Sequence, residues 1–169
     1  MAKFDPSSIK RGKDEQQIAL SYRGGPLAAT GAQQTSTLAA GDRAPDARLD
    51  DHGSAVRLFD LLRGPQFTAV AYGPRAADAL ATLAWPTRGA ALTRITVNAA
   101  GIGDGDHHLL DSTGAFAKSY GLHSDALILV RPDGYVASIA TTEMLAKTTH
   151  AIRPLTPPGS DAAIEQGRA

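Results

Sequence analysis

The chain contains no cysteine. That absence excludes disulfide staples, thiolate metal sites and every thiol-based redox mechanism at once. Neither sign of charge is in excess, with 17 Lys and Arg against 17 Asp and Glu, so the overall balance draws the chain to neither nucleic acid nor an anionic membrane. The basic run Lys10-Arg11-Gly12-Lys13 is followed at once by Asp14 and Glu15 and reads as a solvated segment. No stretch approaches the roughly 18 apolar residues of a membrane span, and Met1 to Gln17 lacks the apolar core of a secretory leader. A soluble, cytoplasmic protein is expected. Aromatics are few, one tryptophan and four tyrosines among them, and they read as core or edge packing.

What is present fits one domain with tails in 169 residues, long enough for a single modest core. Residues 1–40 are rich in Gly, Ser, Thr, Gln and Ala, with one strand-like patch at Ile18 to Arg23 ended by Gly24-Gly25-Pro26. They read as an extended N-terminal arm that cannot fold alone and, if ordered, lies on a partner or on the domain that follows. Tyr22, Arg23 and Leu27 in this arm are its candidate interface residues. Residues 41–155 carry the periodic signals of a domain, and 156–169, beginning at Thr156-Pro157-Pro158-Gly159, read as a disordered tail.

Within the domain, Ala47 to Leu49 and Ala55 to Leu58 flank a turn-rich segment and predict two short strands. Leu58, Leu61 and Leu62 predict a short helix, and Phe67 to Tyr72 a buried strand. Pro74 opens a helix with an expected stripe at Ala77, Leu80, Ala81 and Ala84, ending near Trp85-Pro86. Thr93 to Asn98 alternates as a second strand, and Ala99 to His108 reads as a polar, glycine-rich loop. Asp111 is placed to cap a helix bearing Phe116, Ala117 and Tyr120, stopped by Gly121. Ala126 to Val130 is a third strand, and Arg131-Pro132-Asp133-Gly134 a hairpin turn returning through Tyr135 to Ile139. A last helix from about Thr141 would show Leu145, Thr148 and Ile152 on one side. A parallel crossover half joined to an antiparallel hairpin half predicts an α/β, thioredoxin-like fold, a mixed sheet flanked by helices. An open flavodoxin-like sheet is the alternative, disfavoured by the hairpin.

A thioredoxin-like fold keeps its reactive thiol at the N-terminus of the helix after the first central strand, where free N–H groups and the helix dipole lower the thiol pKa. Here that place reads Gly73-Pro74-Arg75-Ala76-Ala77, with no redox nucleophile. The loop where thioredoxins present a cis proline reads His123-Ser124-Asp125. Arg75 at the helix start is a candidate anion-binding residue, against the plainer reading of a solvent-facing arginine. Asp104, Asp106, His107 and His108 are metal-capable but lack the spacing of a zinc signature. Gly101-Ile102-Gly103-Asp104-Gly105 matches neither the dinucleotide fingerprint nor a Walker loop. His52, His123 and His150 stand in no nucleophile setting. No catalytic, cofactor-binding or metal residue is assigned.

Three blocks carry a family resemblance: Tyr22-Arg23-Gly24-Gly25-Pro26-Leu27, Gly41-Asp42-Arg43-Ala44-Pro45-Asp46-Ala47-Arg48-Leu49, and Leu129-Val130-Arg131-Pro132-Asp133-Gly134-Tyr135-Val136-Ala137. Together they resemble the C-terminal region of class A, FAD-dependent aromatic-ring hydroxylases, the relatives of phenol hydroxylase and the polyketide hydroxylases, over most of residues 18–140. The middle block alone is unspecific, since peroxiredoxins open similarly. The resemblance implies a thioredoxin-like domain without redox cysteines, following an FAD-binding and a substrate domain that carry the flavin chemistry. Nothing in this chain matches the Gly-x-Gly-x-x-Gly or Asp-Gly motifs that hold FAD in that family. The implied role is a non-catalytic accessory or assembly domain, as a dimer or docked on a flavin monooxygenase. A peroxiredoxin-like or other thiol-independent oxidoreductase and a small-ligand or anion-binding module are the alternatives.

Overall fold

The computed structural model of the chain describes residues 21–25, 34–99 and 105–155. The predicted tail, Leu27, the first half of the Ile18 to Arg23 patch and Asp104 lie outside the described residues. Strands β1 (Arg48–Asp51) and β2 (Ser54–Arg57) form an antiparallel hairpin, and α1 (Leu58–Leu61) follows directly. The main sheet is built from β3 (Phe67–Tyr72), β4 (Leu92–Val97), β5 (His107–Leu109), β6 (Ala126–Val130) and β7 (Val136–Ala140). Its order is β5-β4-β3-β6-β7, with β3, β4 and β5 parallel and β6 and β7 antiparallel. Helices α2 (Pro74–Ala81), α3 (Ala115–Tyr120) and α4 (Met144–Ile152) complete it, with a 3-10 turn at Arg153–Leu155. This is the thioredoxin-like topology, and the antiparallel β6–β7 pair excludes the all-parallel alternative.

Strand alternation divides the core into two layers. Val70, Ile95, Val97, Ile128 and Val130 face Leu49, Leu58, Phe116 and Tyr120 on one side. Ala69, Ala71, Leu127 and Leu129 face Ala76, Ala77, Leu80, Met144 and Ile152 on the other. The alanines of β3 and α2 let that helix sit close to the sheet.

Four expectations are corrected. The segment read as loop through His108 contains β5, whose three residues pair with Ile95, Thr96 and Val97. Helix α2 stops at Ala81, and its buried side is Ala76, Ala77 and Leu80, with Ala81 and Ala84 exposed. Helix α4 begins at Met144 and buries Met144, Thr148 and Ile152, leaving Leu145 at 37% exposure. The cap of α3 is displaced: Gly114 is the residue before the helix, and Asp111 reaches past it to accept the N–H groups of Phe116 (3.1 Å) and Ala117 (2.9 Å).

The described part of the arm lies on its own domain. Leu38 and Ala40 are buried, and Leu38 belongs to the core. Thr35 Oγ1 donates to the Tyr120 carbonyl at 2.6 Å. Residues 41–44 run beside the start of β7, with Gly41 N–H donating to Val136 O, Val136 N–H to Asp42 O and Ala44 N–H to Gly134 O. They cover that stretch of the β7 edge.

Candidate functional site

The carboxyl ends of β3 and β4 are where an open α/β sheet presents ligands, and here they lie side by side, Tyr72 opposite Val97. Gly73 leaves β3 with φ 84° and ψ 166°, a region essentially reserved for glycine. That conformation turns the chain straight into Pro74 and exposes the first N–H groups of α2. Asp125, the residue before β6, fills the space in front of them. Its Oδ2 accepts the Arg75 N–H at 2.8 Å, and the Arg75 Nε lies 3.5 Å from the same oxygen. A Cβ on Gly73 would stand 2.7 Å from Asp125 Cγ, so the carboxylate and the glycine require one another. The position expected for an exogenous anion at Arg75 thus holds a carboxylate supplied by the chain itself, at the place where the fold would carry a thiol.

Neighbouring polar groups are committed in the same way. Asn98, with φ 55°, accepts the Asp111 N–H through Oδ1 at 2.9 Å and donates through Nδ2 to the Tyr72 hydroxyl at 3.4 Å. Asp111 is buried with both oxygens on the α3 N–H groups. The β3–α2 turn does not fit the pyrophosphate of a dinucleotide such as FAD, because a phosphate at this helix end would meet the Asp125 carboxylate instead of free N–H groups.

The histidine-rich segment is dispersed by its strand geometry. His107 and His108 are consecutive on β5 and point to opposite faces. His108 Nδ1 lies 2.8 Å from Thr96 Oγ1, and Asp106 Oδ2 accepts the Arg94 N–H at 2.7 Å. No group of three metal-capable side chains forms among the described residues. His52, His123 and His150 are exposed, His52 in the β1–β2 turn, His123 in the loop before β6 and His150 near the end of α4.

Of the candidate interface residues, Tyr22 and Arg23 bind the domain itself. Arg23 grips Asp42 with Nε at 2.7 Å from Oδ1 and Nη2 at 2.6 Å from Oδ2. Tyr22 meets Tyr135 edge-to-face at 4.8 Å between centroids, and the Arg131 guanidinium lies 5.8 Å from the Tyr22 ring. The Tyr22 N–H donates to Gly41 O at 2.7 Å. Gly41, with φ 93°, has no room for a Cβ, which would run into the Tyr22 carbonyl and Arg23 nitrogen. The Arg23 guanidinium, through its hydrogen bonds, holds the Asp42 carboxyl below the usual carboxylate range despite partial burial. Tyr22 remains 48% exposed. Reading along the sequence missed Asp125 and Asp42, whose partners lie 50 and 19 residues away; the local hints are a Gly-Pro helix start and an acid immediately before an apolar strand.

Comparison with known proteins agrees with this architecture. The family model described as aromatic-ring hydroxylase, C-terminal, matches residues 37–155. A flavin-dependent monooxygenase of Mycobacteroides abscessus is 33% identical over 123 residues, covering 71% of this chain and 19% of that protein. The flavin-dependent monooxygenase PieE, solved in complex with FAD and substrate, superposes with a TM-score of 0.55 at 22% identity, over 80% of this chain and 25% of that one. Aklavinone-11 hydroxylase, solved with FAD and aklavinone, gives 0.58 at 23% identity, over 85% and 27%. The two structures show the shared fold, and the chain spans about a fifth to a quarter of the length of these relatives. By its sequence match over residues 37–155, the chain belongs to the family of aromatic-ring hydroxylase C-terminal domains.

Proposed function

We propose that this chain acts as a non-catalytic, cytoplasmic accessory domain that assembles with a second copy of itself or docks on a flavin monooxygenase whose separate domain binds FAD. The observation that carries the reading is Asp125. A fold that elsewhere reserves the α2 N-terminus for a reactive group here caps it with a partly buried carboxylate and a matching glycine, which suits a rigid scaffold. Family membership supports the same reading, since the matched relatives are flavin monooxygenases of which this chain corresponds to a small part.

Light scattering coupled to size exclusion tests it. The full chain is expected to run as a dimer, or to form a yellow, flavin-containing complex when mixed with a flavin monooxygenase encoded in the same genome. A monomer at high concentration that captures no flavoenzyme would overturn the proposal. Because Leu38 and Ala40 are core residues, the arm's share is tested with the double substitution Tyr22→Ala and Arg23→Ala, not by removing residues 1–40.

A further inference from the structure

At the amino end of β3, the end of the sheet away from Asp125, the surface opens into a cleft of about 220 Å³ lined by Phe67, Trp85, Pro86, Arg88 and Leu155, with the backbone of Gly89 and Ala90 as its rim. Phe67 and Trp85 together form an angled aromatic wall, their centroids 5.3 Å apart and their planes tilted at 56°. Both are only half-buried. The indole N–H is already donated to Ala90 O at 2.9 Å, which fixes the ring and leaves it only its apolar faces to offer. Arg88 is the single charged residue of the lining, exposed and without a carboxylate partner among the described residues.

We infer that this cleft binds a small aromatic carboxylate of the benzoate class, its ring against the Phe67–Trp85 wall and its carboxylate on the Arg88 guanidinium. The size fits: an apolar cavity of roughly 150 Å³ takes benzene, so the cleft has room for one ring and one planar anionic substituent. The chemistry fits as well. A planar carboxylate accepts two parallel N–H bonds from a guanidinium, whereas an inorganic anion would leave the aromatic wall in water and a neutral arene would leave Arg88 unmatched. This inference goes beyond the assembly role and is independent of it; a protein that proves monomeric leaves it standing.

Trp85 is the chain's single tryptophan, so its emission reports on this cleft alone. Titration of the full chain with benzoate is expected to give a saturable change at or below millimolar concentrations. Phenol and cyclohexanecarboxylate, each lacking one half of the ligand, are expected to bind more weakly. Arg88→Ala, at an exposed loop position, should weaken benzoate about tenfold, and Arg88→Lys less. A non-saturable response, or equal affinity in Arg88→Ala, overturns the assignment. So does emission that follows protein concentration and ignores benzoate, which would mean that a second copy covers the cleft.

Discussion

The Asp125 carboxylate stands in the space that a Cβ on Gly73 would need, although the two residues are far apart in sequence. Gly73 occupies backbone space that costs other residues about 1–3 kcal/mol, and its missing Cβ is what admits the Asp125 carboxylate to the α2 N–H groups. Asp125→Ala should cost about 1 kcal/mol in chemical denaturation, the usual value of a helix N-terminal cap. Gly73→Ala should cost about 3 kcal/mol, from backbone strain and the clash together. In the double variant the clash is gone, so the two costs should fall short of their sum by about 0.5–1 kcal/mol. Strict additivity would mean that the two residues are neighbours without being coupled. Arg75→Ala, by contrast, should change stability by no more than about 0.5 kcal/mol, since its side chain is 73% exposed.

Among the elements, those written in local chemistry were legible and those set by distant partners were not. The β6–β7 hairpin follows from Pro132, Asp133 and Gly134, whose backbone preferences act within four residues, and the fully apolar β6 needs only its own composition. Strand β5 is three residues long and two of them are histidines; only the hydrogen bonds offered by β4 make it a strand. The buried stripe of α4 keeps the expected Thr148 and Ile152 but starts one residue earlier than expected, because Met144 points in while Leu145 points outward. Thr148 Oγ1 is buried without a hydrogen-bond partner among the described residues, as is Ser138 Oγ on β7, the strand against which α4 packs. A buried hydroxyl without a hydrogen bond is destabilising. Thr148→Val keeps the shape and removes that cost, and should raise stability by about 1 kcal/mol in a denaturant melt; Leu145→Ala should leave it nearly unchanged. A loss of stability in Thr148→Val would show that the hydroxyl has a partner, such as an ordered water.

For the whole molecule, the arm and the domain meet at Asp42. Its carboxylate accepts Arg23 through both oxygens, the Ser21 hydroxyl at 2.9 Å and the Ala39 N–H at 2.9 Å, so one charge ties residues 21–23 to the segment that edges β7. None of this could be seen in residues 1–40, because the docking surface is made by residues 41–44 and 131–136 after the chain has folded back. The bonding to Arg23 depresses the Asp42 pKa in the folded state. Its stabilisation is therefore fully present above the ordinary aspartate value of about 3.9 and is lost as pH falls below that, through the lower folded value. Other groups at the seam are Arg131, Asp133 and Tyr135, with Arg131 paired to Asp133. In nuclear magnetic resonance spectra, the Tyr22 and Gly25 amides and the Tyr22–Tyr135 ring contacts should keep their docked signals at neutral pH and lose them in acid. General acid unfolding would mimic that loss, so Asp42→Asn at neutral pH is the decisive companion: the arm signals alone should move while those of β3 and β6 hold. Docked Tyr22 signals in Asp42→Asn would sink the idea and assign the arm's position to the Tyr22 backbone bond and ring contacts instead.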